Sequence, residues 1–162
     1  MNVVSIPRER PGLSLVAAIL VCELVGAAGS VFTATSLDSW YRTLDQPALA
    51  PPDWVFGPVW TTLFALMGVA AWLVWREWGP DARLALWVFA GQFALNLAWS
   101  AAFFGLQSPF WGLVVIAMLW LAIVATIATF ARVDRRAAVL LVPYLAWVSF
   151  AAYLNYGFWV LN

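Results

Sequence analysis

Aromatic and amide side chains recur together at helical steps in three separate stretches of this chain. Gln92, Asn96, Trp99 and Phe103 follow at intervals of four, three and four residues, which places two carboxamides, an indole and a phenyl ring on one helix face. Trp60, Phe64, Met67 and Ala71 keep the same spacing, and Trp147, Ala151, Asn155 and Phe158 line a third face. Aromatic faces stack on flat ring systems, and a few carboxamides orient such a ligand by hydrogen bonds. The chemistry on offer is recognition of a flat, largely apolar molecule in a cavity, although a packed bundle core has the same periodicity. Catalytic apparatus is missing from the sequence. There is no histidine and one cysteine, Cys22, which excludes the usual general base, the usual haem axial ligand, an intrachain disulfide and a multi-cysteine metal cluster. No nucleophile–base pair stands out, so no catalytic residue and no metal ligand is assigned. Glu23 is an ionisable residue inside an apolar stretch. It marks either a proton or substrate path or a hydrogen-bonded carboxyl packed between helices.

The elements that must position these residues follow from composition. The chain is 65% hydrophobic and 10% charged, against about 25% charged in ordinary soluble domains, so lipid has to cover much of its surface. A helix needs roughly 20 apolar residues to span the hydrocarbon core. Five stretches qualify, at about 13–35, 54–78, 84–104, 110–131 and 137–161. The fold class expected is an all-α membrane protein, a single domain built as a bundle of five transmembrane helices. Between the first two spans, residues 36–53 hold Asp38, Asp45, Asp53, Pro47, Pro51 and Pro52 and form a true loop. Gly79-Pro80, Ser108-Pro109 and the run from Arg132 to Arg136 separate the others. Gly26-Ala27-Ala28-Gly29-Ser30 resembles a signal-peptidase site, but the apolar stretch continues past it and contains Glu23, so the segment reads as a retained helix.

All eight basic residues are arginines. Arg8, Arg10, Arg76, Arg83, Arg132, Arg135 and Arg136 fall on one side of a five-span topology and Arg42 on the other. The positive-inside rule then puts the N-terminus in the cytoplasm, with the first loop and the C-terminus outside. The zero net charge and the lack of lysine argue against nucleic acid as a partner.

Ten of the twelve tryptophans divide by position. Trp54, Trp75, Trp78, Trp87, Trp111 and Trp159 lie near span ends and read as interfacial anchors. Trp60, Trp99, Trp120 and Trp147 lie inside spans, the first two roughly 7–9 Å below the loop-side ends at 1.5 Å per residue. On the other face of the third span, Ala90, Ala94, Ala98 and Ala102 recur every four residues. Small residues at this spacing let two helices approach closely, either within the bundle or between two copies of the chain.

Three segments carry a family resemblance. Trp40-Tyr41-Arg42-Thr43-Leu44-Asp45-Gln46-Pro47 with Pro51-Pro52-Asp53-Trp54-Val55-Phe56-Gly57-Pro58-Val59-Trp60-Thr61 is similar to the WYxxLxKP…PPxWVFxxVWT signature of the TspO, or translocator protein, family. Gln92-Phe93-Ala94-Leu95-Asn96-Leu97-Ala98-Trp99-Ser100 resembles its QxxLNxxWS motif. Pro143-Tyr144-Leu145-Ala146-Trp147, running to Leu154-Asn155, resembles its PYLxW…LN motif. The order matches too, and the resemblance covers residues 13–162. It implies a five-helix bundle with a pocket beneath the first loop, binding porphyrins and, in some members, benzodiazepine-type drugs and sterols. By resemblance Trp40 and Tyr41 lie over the pocket, Pro47 belongs to its lid, and Trp60, Asn96, Trp99, Trp147 and Ala151 line it; Phe103 and Asn155 share those faces. Family members commonly dimerise, often through the third helix, which favours the two-copy reading of the alanine stripe. At two lid positions the chain departs from the family, with Gln46 in place of a lysine and Leu49 in place of a tryptophan. The C-terminal segment also lacks the basic residue of the animal sterol-recognition pattern.

The function implied is that of a tryptophan-rich sensor or regulator. It would bind a tetrapyrrole, protoporphyrin IX or haem, with no cofactor required. Its partners would be the lipid bilayer, the porphyrin-type ligand and a second copy of the chain. Two alternatives stand beside it: a tryptophan-dependent porphyrin photodegrading activity, and a transporter of tetrapyrroles or similar ligands that uses Glu23.

Overall fold

The computed structural model describes residues 6–162, and its framework is five helices long and apolar enough to cross a bilayer. They are α1 (Pro11–Ser36), α2 (Asp53–Arg76), α3 (Pro80–Gly105), α4 (Pro109–Val133) and α5 (Arg135–Leu161). A one-turn helix, Ile6–Glu9, precedes them, and no strand occurs among the described residues.

Local chemistry explains the boundaries. Prolines 11, 80 and 109 each occupy the first turn of a helix, where a missing N–H has no intrahelical partner to lose. The Ser108 hydroxyl caps α4 by accepting from the Trp111 N–H, and the Asp134 carboxylate caps α5 by accepting from the Arg136 N–H. The end of α3 widens into a π turn over Ala101–Gly105, where the Leu106 N–H donates to the Ala101 carbonyl. The chain then reverses through Gln107 at φ 51°, a left-handed residue that stops the helix before Ser108-Pro109. α5 breaks at Leu141 into Arg135–Leu140 and Val142–Leu161, because Pro143 cannot donate into the ladder of the preceding turn.

The helices pack in the ring order α1, α2, α5, α4, α3 and back to α1. Glycine allows the α1–α2 contact. A Cβ on Gly68 would lie 2.6 Å from the Ile19 Cα, and one on Gly26 would run into the Phe64 ring. One apolar core runs along the bundle through Phe64, Met67, Ile116, Ile123, Phe130 and Val148. A smaller one, of Tyr41, Phe103, Leu154 and Phe158, closes the loop end. Exposed Leu20, Val21, Leu24 and Val31 on α1 form part of the surface that lipid covers.

Candidate ligand cavity

α1 and α2 touch closely at Ile19–Gly68 and Gly26–Phe64. Nearer the loop a cavity of about 410 Å³ lies between α1, α2 and α3. The α1 wall is the stripe Glu23, Ala27, Ser30 and Thr33, with Leu37 just past the helix end; α2 supplies Phe56, Trp60 and Phe64, α3 supplies Asn96, Trp99 and Ser100, and Tyr41 lies over the top. Ala27, Ser30, Gly57 and Thr61 line the cavity and are exposed. Its open side therefore runs between α1 and α2, on the lipid-facing surface.

The inner wall is a ladder of rings. Trp60 stacks on Phe64 with centroids 5.6 Å apart, Trp60 and Trp99 are 6.3 Å apart, and Trp99 stacks on Phe103 at 6.0 Å. These separations fall within the range of favourable aromatic pairs, so the indoles present a firm apolar face.

Polar groups behind the ladder hold the helices together. The Tyr144 hydroxyl donates to Gln92 Oε1 at 3.0 Å and accepts from Asn96 Nδ2 at 3.0 Å, which ties α3 to α5. The Trp99 indole N–H donates to Asn155 Oδ1 at 3.1 Å, and Asn155 Nδ2 donates to the Pro109 carbonyl at 2.7 Å. In hydrocarbon such groups must be satisfied internally.

The loop is fastened as a lid. Tyr41 is buried against Phe103, Phe104 and Phe158, with centroids 6.4, 5.7 and 5.3 Å away, and Trp40 packs edge-on to Phe103 at 5.5 Å. Pro47 sits so close to Gly157 that a Cβ there would be 2.8 Å from the proline ring. The Asn162 side chain accepts from the Asp45 N–H at 2.9 Å and donates to the Asp45 carbonyl at 3.2 Å. The Ser36 hydroxyl donates to the Phe104 carbonyl at 2.6 Å, filling an acceptor at the end of the π turn. Arg42 bridges Asp38 at 3.0 Å and Asp53 at 3.4 Å. Burial, and then the charge of Asp53, push the Tyr41 phenol up to about 12.

Of the residues singled out in the sequence, Tyr41, Trp60, Asn96 and Trp99 line the cavity. Trp40, Pro47 and Phe103 belong to the lid and its seat. Trp147, Ala151 and Asn155 do not reach the cavity, which differs from the expectation of a chamber among the second, third and fifth helices. The reason is the ring order: α5 stands behind α2, and Trp147 packs edge-on to Phe56 at 5.9 Å. The Trp147 indole N–H is buried with no partner among the described residues. Asn155 spends its amide on Trp99 and Pro109, and Ala151 is buried in the core. In the alanine stripe, Ala90, Ala94 and Ala98 are exposed, but Ala102 is buried, because the π turn rotates it inward. Trp120 faces outward and donates to the Ser149 hydroxyl at 2.9 Å. Apart from Glu23, the α1 wall went unread in the sequence; the steps of four, three and three from Glu23 to Ala27, Ser30 and Thr33 were the available signal.

Comparison with known proteins is consistent with this architecture. The model of the TspO/MBR family matches residues 18–160. The chain is 50% identical over 154 residues to the tryptophan-rich protein TspO of Chlorobaculum tepidum, covering 93% of this chain and 96% of that one. It is 38% identical over 155 residues to the translocator protein of Bos taurus, covering 94% and 92%. With the tryptophan-rich sensory protein of Cereibacter sphaeroides it shares 38% identity over 146 residues, covering 88% and 91%.

Proposed function

The chain belongs to the TspO/MBR family of multi-pass membrane proteins, and from that premise we propose that it is a sensor that binds a tetrapyrrole, protoporphyrin IX or haem, beneath its first loop. The observation that carries this reading is the cavity itself: about 410 Å³, within the range of about 300–1,000 Å³ usual for small-molecule sites, with Trp60 and Trp99 as its inner wall. A flat macrocycle entering edge-first lays one face on these indoles. Its carboxylates stay at the mouth, where Arg42 exchanges Asp53 for the ligand. Occupancy is reported by the lid, because Tyr41 touches both the cavity and the ring cluster that holds the loop down.

Titration of the detergent-solubilised protein with protoporphyrin IX and with haem, read by tryptophan fluorescence, tests this. Saturable quenching at one ligand per chain is expected, weakened about tenfold or more by Trp60→Ala, a loss matching that of a buried aromatic contact. Linear, unsaturable quenching in the parent protein would sink the reading. The same titration under illumination distinguishes the photodegrading alternative. That reading draws on the two indoles at the cavity wall, and it requires the porphyrin absorbance to decay in the parent and persist when Trp60 is replaced.

A further inference from the structure

The cavity has an acidic interior and no basic residue in its walls. Glu23 and Asp53 are its charged lining residues, and no arginine lines it among the described residues. Asp53, at the mouth, is paired with Arg42. Glu23 is not paired: no ion pair reaches it among the described residues. It lies 13 residues before Ser36, the end of α1, so it is roughly 20 Å below the loop end at 1.5 Å per residue, near the middle of the span. A carboxyl at that depth without a protein partner is costly unless something else supplies a hydrogen bond.

Asn96 adds a second acceptor. The Tyr144 hydroxyl has given its proton to Gln92 Oε1, so it must accept from Asn96. That fixes Nδ2 toward Tyr144 and leaves Asn96 Oδ1 as the free end of a cavity-lining amide. Two acceptors, Glu23 and Asn96 Oδ1, therefore line the cavity together with the Trp60 ring.

We infer that the cavity selects flat apolar molecules whose inner end carries an N–H donor, foremost an amine, and that Glu23 is the residue that receives it. Hydrogen-bonding to the nitrogen satisfies the carboxyl, while a carboxylate in the same place would face the oxygens of Glu23 and Asn96. The inference rests on the reading of this cavity as a ligand site. It adds the polarity of the end that enters first: donor inward, anionic groups outward at Arg42.

The test uses two probes with one ring system, 1-pyrenemethylamine and 1-pyrenecarboxylate, titrated into the full-length solubilised protein and followed by tryptophan-to-pyrene energy transfer. The parent should bind the amine about tenfold or more tightly than the carboxylate, the scale of a hydrogen bond to a charged group. Glu23→Gln should erase most of that preference. Equal binding of the two pyrenes to the parent, no binding of either, or an undiminished preference in Glu23→Gln would each overturn the inference. The parent comparison alone decides the matter if the variant does not fold. Failure of protoporphyrin to bind while the amine preference holds would remove the tetrapyrrole reading and leave the donor rule standing.

Discussion

Tyr41 shows how one side chain joins lid to cavity. Its ring is buried, and its phenol is pushed up to about 12, first by burial and then by the charge of Asp53. The ordinary phenol value is about 10. An undocked loop therefore ionises first, so the stability the phenol lends to docking is complete below about pH 10 and is lost as pH rises through the folded value. Tyrosinate absorbance of the parent should include a late-titrating phenol that is missing from Tyr41→Phe, whose lid should stay shut where the parent's opens; a phenol lost instead from the ordinary range at about 10 would place Tyr41 in water. Asn155 makes a different argument. Replacing it with leucine strands the Trp99 N–H and the Pro109 carbonyl, and an orphaned buried group costs about 1–3 kcal/mol. A clear drop in thermal midpoint is expected, and an unchanged midpoint would mean that water or relaxation fills the gap. The aromatic faces of α2 and α3 were legible because large residues at helical spacing leave a strong pattern. Glu23 stood out as a carboxyl within a span, but Ala27, Ser30 and Thr33 did not, since small and polar side chains on an otherwise apolar helix make a faint stripe. Its neighbours across the cavity depend on ring order, which no local pattern encodes.

At the scale of elements, the breaks were readable from proline, glycine and charge, and the helices begin and end where those residues stand. Two departures were not readable. The π turn at Ala101–Gly105 comes from the tight α3–α4 connection, and it turns Ala102 inward. The break at Leu141 follows from Pro143, whose effect the apolar run around it concealed. Asp134 gives a test of capping. Its carboxyl is held below the usual range, chiefly by the hydrogen bond from the Arg136 side chain. Its contribution is then present above the ordinary carboxylate value and is lost as pH falls through the depressed one. Asp134→Ala should cost about 0.5–2 kcal/mol at neutral pH, with a smaller deficit in acid, measured by thermal unfolding; a deficit that does not shrink in acid would exclude this role. The lid seat is tested at Gly157. Adding a methyl group in Gly157→Ala drives into Pro47, and overpacking costs about 1–3 kcal/mol. Faster proteolysis of the 36–53 loop is expected, whereas Gly12→Ala, where an added Cβ meets nothing within 4 Å, should leave it unchanged.

For the whole molecule, the five-helix membrane architecture was legible from composition and span length alone. Its surroundings follow from the outward surface. Seven arginines gather at the ends of the bundle away from the lid, so the N-terminus is expected in the cytoplasm. Cysteines at exposed Ser39 and exposed Asp81, in a Cys22→Ser background, should react with an impermeant reagent from opposite sides of the membrane; labelling from one side would overturn the arrangement. Association is the remaining question at this scale. Ala90, Gly91, Ala94 and Ala98 leave α3 a bare outward strip, and a Cβ added at Gly91 meets nothing within 4 Å. In lipid no hydrophobic force drives helices together, so close backbone approach over small residues has to supply the attraction. A second copy of the chain, strip against strip, fits that requirement. Asn96 and Trp99 face the cavity from the other side of the helix, so the two functions should separate. Ala94→Leu with Ala98→Leu is expected to push the backbones apart and reduce the crosslinked dimer severalfold, with porphyrin affinity close to the parent's. Crosslinking equal to the parent's would return the strip to lipid. A parallel loss of affinity would mean that the cavity is completed only in the pair.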